Sequence, residues 1–147
     1  MIRKMDMSDV QFVYELEKEA FGKSLEKPML TKEILYNEMA YYAVLIIDGK
    51  RLGYAGLWFT EPNADIINIA VLESKRGQGY GTKLMEHLIQ KCVVVNVENI
   101  SLEVSEAKTD VIRFYESFGF ANETRRKQYY SDGSDALLMV KRLGGKL

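Results

Sequence analysis

The residues most able to do chemistry in this chain lie in two places. The first is Arg76-Gly77-Gln78-Gly79-Tyr80-Gly81, followed by Thr82-Lys83. Alternating glycines let a backbone turn tightly and approach a ligand without intervening side chains. The segment leads into the apolar-periodic stretch around Leu84, so its amides point from a helix N-terminus, where a phosphate or pyrophosphate is favoured. The bland alternative, a glycine-rich turn that merely starts a helix, fits the string equally well. The second place holds Glu103, between Leu102 and Val104, and Tyr115, in the aromatic group Phe114, Phe118 and Phe120. A carboxylate and a phenol are a usable base and acid. By pattern alone, however, Glu103 reads as the solvated side of a strand and Tyr115 as a core aromatic. His87 is spaced with Lys83 and Lys91 on a polar helix face, and Cys92 falls on the apolar face of the same helix. Neither is expected to react.

Two nucleotide-binding motifs fail against the glycine segment. A P-loop needs Gly-Lys followed by Ser or Thr, whereas Gly81 is followed by Thr82 and then Lys83. A dinucleotide-binding fingerprint needs a further glycine three residues after Gly79, where Thr82 stands. A different phosphate-bearing ligand is indicated.

The elements that must position these groups follow from periodicity. A strand near Ile2 to Lys4 precedes a helix from Ser8 or Asp9 that Gly22 ends, with Val10, Val13, Leu16 and Ala20 at helical spacing. A looser stretch through Pro28 leads to a second helix, capped by Thr31 and carrying Ile34, Leu35 and Met39. Tyr42 to Ile47, Leu52 to Phe59 and Asp65 to Val71 read as strands of an antiparallel meander, the first two joined at Asp48-Gly49. Leu84, Met85, Leu88, Ile89, Cys92 and Val93 line one side of a helix after the glycines. Ile100 to Val104 reaches its place through that helical crossover, so one parallel pairing is expected. A helix from about Asp110 to Ser117 ends at Gly119. Strands at Thr124 to Tyr130 and Asp135 to Arg142, turning near Asp132-Gly133, close the chain. The expectation is an α/β (α+β) fold with a mixed, mostly antiparallel sheet of about six or seven strands and helices on both faces.

The chain has 147 residues, 47% hydrophobic and 28% charged, with a formal net charge of -1, which gives no reason to expect a nucleic-acid partner. No repeat or linker interrupts it, so a single domain over 1–147 is expected. A single cysteine forbids an intrachain disulfide and fits a reducing compartment. No apolar run is long enough for a signal peptide or a bilayer span, so a cytoplasmic location without membrane contact is expected.

The string Arg76-x-x-Gly79-x-Gly81 resembles the coenzyme A pyrophosphate loop of the GNAT acetyltransferase superfamily. Around it, Ile67-Asn68-Ile69-Ala70-Val71, Leu84 to Ile89, Leu102-Glu103-Val104, Phe114 to Phe120 and Tyr129-Tyr130 are similar, in order and spacing, to the ribosomal-protein-alanine N-acetyltransferase branch. The match is close from Ile66 to Met139 and weaker before. The resemblance implies acetyl-CoA as co-substrate and no metal. It implies that Ile69, Ala70 and Val71 bind the pantetheine arm from a strand that splays from its neighbour. It implies that Arg76, Gly77, Gln78, Gly79, Tyr80, Gly81 and Thr82 form the pyrophosphate site. Glu103 then serves as general base toward the acceptor amine and Tyr115 protonates the leaving thiolate, with Tyr129 and Tyr130 bordering the acceptor groove.

This chain departs from the pattern at Lys108, where the family has an asparagine touching the cofactor. It departs again at Gly22 to Thr31, where the family carries a Pro-Trp-Ser element. The implied acceptor is a protein N-terminus, a ribosomal protein being one candidate, with the enzyme a monomer or homodimer. A small amine, polyamine, antibiotic or lysine side chain is the alternative acceptor. A non-catalytic acyl-CoA-binding module is the alternative from another class.

Overall fold

The computed structural model describes residues 1–144. Strands β1 (Ile2–Lys4), β2 (Ala40–Ile47), β3 (Lys50–Thr60), β4 (Asn63–Val71), β5 (Asn99–Ser105), β6 (Ala121–Arg126) and β7 (Ala136–Arg142) form one seven-stranded sheet in the order β1-β2-β3-β4-β5-β7-β6. The β4–β5 pairing is parallel and every other pairing is antiparallel. Helices α1 (Val10–Phe21) and α2 (Lys27–Thr31) belong to one face; α3 (Tyr80–Val94) and α4 (Thr109–Glu116) belong to the other. The mixed, mostly antiparallel sheet with helices on both faces is thus as expected.

Two apolar clusters divide the core between those faces. Val13, Leu16, Leu30 and Ile34 pack with Tyr42, Val44 and Tyr54. Leu84, Met85, Leu88 and Cys92 of α3 pack with Leu45, Leu57, Ile66, Ile100 and Leu102, and Tyr115 and Phe120 join them. Alternation along each strand sends successive side chains to opposite clusters.

One irregularity shapes everything that follows. The β3–β4 register passes from Leu57↔Ile66 to Gly56↔Asn68, leaving Ile67 unopposed as a β-bulge. The extra residue reverses the alternation beyond it. Ala64 and Ile66, then Ile69 and Val71, face α3; Asp65, then Asn68 and Ala70, face α1. β4 leaves β5 at the same place, since the two pair only at Ala64↔Ile100 and Asp65↔Ser101. β5 meanwhile pairs with β7 along its whole length. The sheet therefore opens between β4 and β5.

Three local expectations differ from the structure. Helix α2 begins at Lys27, with Pro28 in its first turn, where a missing N–H costs nothing. Thr31 lies inside it and donates its hydroxyl to the Lys27 carbonyl rather than capping a later helix. A single π-helical turn, Lys32–Tyr36, then carries Ile34 and Leu35, and Met39 lies beyond it. Val93 is exposed, because the apolar stripe of α3 effectively ends at Cys92. Strand β6 starts at Ala121 and stops at Arg126, which leaves Tyr129 and Tyr130 in a loop. Gln128 there adopts a left-handed φ of 50° and its amide donates to Asp135, which ends the strand.

A buried ion cluster fixes the start of the chain to the sheet. Asp9 is fully buried and accepts from Arg3 at 2.8 and 3.0 Å, from Arg51 at 2.7 Å and from the Asp6 amide at 2.8 Å. Desolvation raises its pKa, but the bonds from Arg3, Arg51 and the Asp6 amide outweigh it, so the carboxyl titrates below its ordinary value. The contribution is thus full above the unfolded pKa of about 3.9 and fades as pH falls through the lower folded value. Asp9→Asn should cost about 2 kcal/mol in a urea unfolding experiment at pH 7, with the difference from wild type shrinking below about pH 4. A gap that persists undiminished in acid would locate the loss in packing instead.

Candidate active site

The glycine segment forms the turn ahead of α3. Gly77 and Gly79 have φ of 76° and 87°, in the left-handed region that side chains rarely adopt. Gly79 is the N-cap of α3, and no side chain caps it. The first-turn amides of Tyr80, Gly81 and Thr82 therefore point outward without an intrahelical acceptor. Arg76 is exposed, and its Nε donates to the Val71 carbonyl at 3.2 Å, tying the turn to the end of β4. A Cβ on Gly81 would sit 3.5 Å from the Phe114 ring, so the turn lies directly against α4.

That contact brings the turn beside Tyr115. The Tyr115 ring is 92% buried, edge-on to Phe114 at 5.6 Å and to Phe120 at 5.9 Å. Burial pushes its hydroxyl up to about 12, so it stays protonated at any ordinary pH. The hydroxyl has no hydrogen-bond partner among the described residues, and no fully buried polar side-chain atom is left unsatisfied, so it reaches solvent.

Glu103 lies on the opposite face of β5 from Leu102 and Val104, which are core residues. It lines an open groove of about 570 Å³ with Trp58, Asp65, Ile67, Ser101, Arg126 and Leu138. Ser101 donates to Asp65 there. The Arg126 Nε lies 3.9 Å from the Glu103 carboxylate, and the Arg126 guanidinium sits 5.1 Å over the Tyr129 ring. Burial first, and then the Glu103 and Tyr129 charges, push the Tyr130 hydroxyl above its ordinary value.

The opening between β4 and β5 joins these parts. Ile69, Ala70 and Val71 flank it on β4, with no strand partner on that side. Glu103 flanks it on β5, and Tyr115 lies beneath the face that carries α3 and α4. Among the described residues, the β4 backbone groups on that side have no strand partner. Lys108 is the exposed N-terminal cap of α4, and its charge contributes to holding the Asp132 carboxyl, in the loop after β6, below its ordinary value. His87 is half-buried, its Nε2 2.7 Å from the Tyr41 hydroxyl, and burial lowers its pKa; it does not line the groove.

Sequence reasoning missed a polar network under the groove. Glu17, nearly buried, accepts from Tyr54, from Ser24 at 2.7 Å and from Asn68 at 3.4 Å. Glu33 accepts from Tyr42 at 2.7 Å, from the Trp58 indole and from Asn37 at 3.0 Å. The signal was the presence of tyrosines inside apolar strands, since a buried phenol requires an acceptor.

The sequence profile of the Acetyltransferase (GNAT) family matches residues 10–120. The putative [ribosomal protein bS18]-alanine N-acetyltransferase of Bacillus subtilis is 35% identical over 139 residues, 94% of this chain and 92% of that protein. The [ribosomal protein bS18]-alanine N-acetyltransferase of Escherichia coli K12 is 32% identical over 144 residues, 95% of each. The crystal structure of the ribosomal-protein-S18-alanine N-acetyltransferase from Escherichia coli superposes with a TM-score of 0.89 at 28% identity, covering 100% of this chain and 97% of that one. A parallel pair that parts at a bulge, a glycine turn at the helix beyond it and this degree of similarity to proteins of matching length all lead to one assignment: the chain belongs to the GNAT acetyltransferase family.

Proposed function

We propose that this enzyme transfers the acetyl group of acetyl-CoA to the α-amine of a protein N-terminus by direct attack in a ternary complex, a ribosomal protein being the leading acceptor. The observation that carries the reading is the groove around Glu103, open to solvent on the α1 face and continuous with the parting of β4 and β5. The names of the full-length relatives agree with it. Coenzyme A lies along Ile69, Ala70 and Val71, with its pyrophosphate on the amides from Gly77 to Thr82. Arg76 and the exposed Lys108 supply positive charge around the cofactor.

The chemistry needs no enzyme nucleophile. An α-ammonium has a pKa near 8 and must lose a proton before its nitrogen can attack. Glu103 takes that proton, directly or through a water, as the C–N bond forms at the thioester carbonyl. The tetrahedral adduct loses the second proton from nitrogen to water and expels sulfur, Tyr115 gives its proton to the departing thiolate, and solvent reprotonates the phenol. A phenol held near pKa 12 is protonated when the thiolate needs it. The products are the N-acetylated chain and free coenzyme A. We infer a cytoplasmic enzyme, where acetyl-CoA and nascent N-termini meet; no described helix is long and apolar enough to cross a membrane.

An acetylation assay over synthetic peptides tests the acceptor. Peptides with a free small N-terminal residue should turn over, and the same peptides with a blocked terminus and an internal lysine should not. Turnover of free polyamines or amino sugars with no turnover of any N-terminal peptide would overturn the choice of acceptor.

A further inference from the structure

The carboxylate of Glu33 is bonded by three donors, two of them from different strands. Its Oε2 receives the Tyr42 hydroxyl of β2 and the Trp58 Nε1–H of β3, and its Oε1 receives Asn37, just past the π-helical turn. Tyr42 cannot retreat, because its ring occupies the space a Cβ would need at Gly56, and Tyr54 stacks on it at 6.4 Å. Glu33 itself lines a second cavity of about 560 Å³ with Leu25, Met29, Lys32, Tyr36 and Asn37. Its partner Trp58 lines the groove that holds Glu103. The carboxylate therefore stands between the two cavities. A π-helical turn is a costly local geometry that recurs where a side chain must be aimed.

We propose that Glu33 is a positioning residue for the acceptor, holding the Trp58 indole as a fixed wall of the groove that contains Glu103. This rests on the acceptor-groove reading above. Without Glu33 the indole N–H is left partly buried and unpaired, so the ring turns toward water and the wall is lost. The effect falls on acceptor binding and leaves the coenzyme site, beyond the bulge, untouched. Glutamine is the informative replacement: it keeps the shape but offers one acceptor oxygen where three donors converge.

Trp58 is the only tryptophan in the chain, so its fluorescence reports this wall alone. The acceptor in every arm is whichever amine the wild-type enzyme acetylates. Failure of peptides with success of a small amine would thus overturn the choice of acceptor and still leave Glu33 testable. Titrating wild-type enzyme with that acceptor should change Trp58 emission saturably, at concentrations near its KM. E33Q should raise the acceptor KM about ten-fold, a cost of about 1.4 kcal/mol, with kcat and the acetyl-CoA KM within about two-fold of wild type. In a W58F background the same substitution should change the acceptor KM by less than about two-fold. An unchanged KM in E33Q, an equal rise in the W58F background, or Trp58 emission indifferent to acceptor overturns the proposal. If E33Q does not fold, the wild-type emission titration decides alone.

Discussion

Glu103→Gln is expected to lower kcat/KM for the acceptor by about 10²- to 10³-fold near neutral pH, with the deficit narrowing as pH rises past about 8. The first half follows from removing the base. Glutamine keeps the shape of the groove wall but cannot accept a proton, so only amine already deprotonated in solution can react. The second half follows from the acceptor. As pH passes the α-amine pKa of about 8, the free-base fraction grows and the missing base matters less. Acetyl-CoA affinity should be unchanged, because Glu103 lies on β5 and the glycine turn proposed to hold the pyrophosphate lies before α3. Arg126, 3.9 Å away, would lose its only carboxylate neighbour within ion-pair distance among the described residues; side-chain exposure of 65% and 41% for the two makes the structural cost small. Measuring kcat/KM from pH 6 to 10 for both proteins decides the point. A deficit that stays constant over that range would assign Glu103 to orientation rather than proton transfer, and no deficit at all would remove it from the mechanism.

The parts of the site visible in the sequence are those whose chemistry is local. Left-handed turns ahead of a helix demand glycine, so Gly77 and Gly79 announced both the turn and the helix N-terminus. Glu103 and Tyr115 had unremarkable patterns, a strand alternation and an aromatic group, and took meaning only from the order of strings around them. The bulge at Ile67 left a trace that went unread. Asp65 and Asn68 face the same side of β4 although three positions separate them, which an unbroken period of two forbids. Other features had no local signal. Thr31 is a good cap by type, yet a helix started by Pro28 had already passed it. Tyr129 and Tyr130 have strand propensity, but Asp135 takes the Gln128 amide and Asp132 takes the Ser134 amide, so a loop wins. Glu17 bonds to Tyr54 and Asn68 and Glu33 to Trp58, partners far along the chain, and no spacing rule predicts such a pairing. Those long-range contacts lie beside the groove proposed for the acceptor, which is why the donor was readable first and the acceptor least.

Tyr115→Phe should lower kcat by about 10- to 10²-fold, and its deficit should be flat with pH where that of Glu103→Gln is not. Burial places the Tyr115 hydroxyl near pKa 12. Below about pH 11 the phenol is therefore almost fully protonated, and raising pH from 6 to 10 leaves the supply of that proton unchanged. Ionisation would remove the donor only above the working range, so the wild-type profile should show no alkaline limb from this group. Phenylalanine keeps the edge contacts with Phe114 and Phe120, so packing and the thermal midpoint should move little. What disappears is the hydroxyl that has no hydrogen-bond partner among the described residues. A group with no structural bond to lose separates chemistry from stability cleanly. The sharper check varies the leaving group. If Tyr115 protonates sulfur, an acetyl thioester of a more acidic thiol needs less help, and the Phe variant should recover most of its loss with it. An equal deficit with both donors would move Tyr115 out of proton transfer and into coenzyme positioning, while a flat profile with recovery would leave the two residues with separate protons: Glu103 with the one that leaves nitrogen, Tyr115 with the one that reaches sulfur.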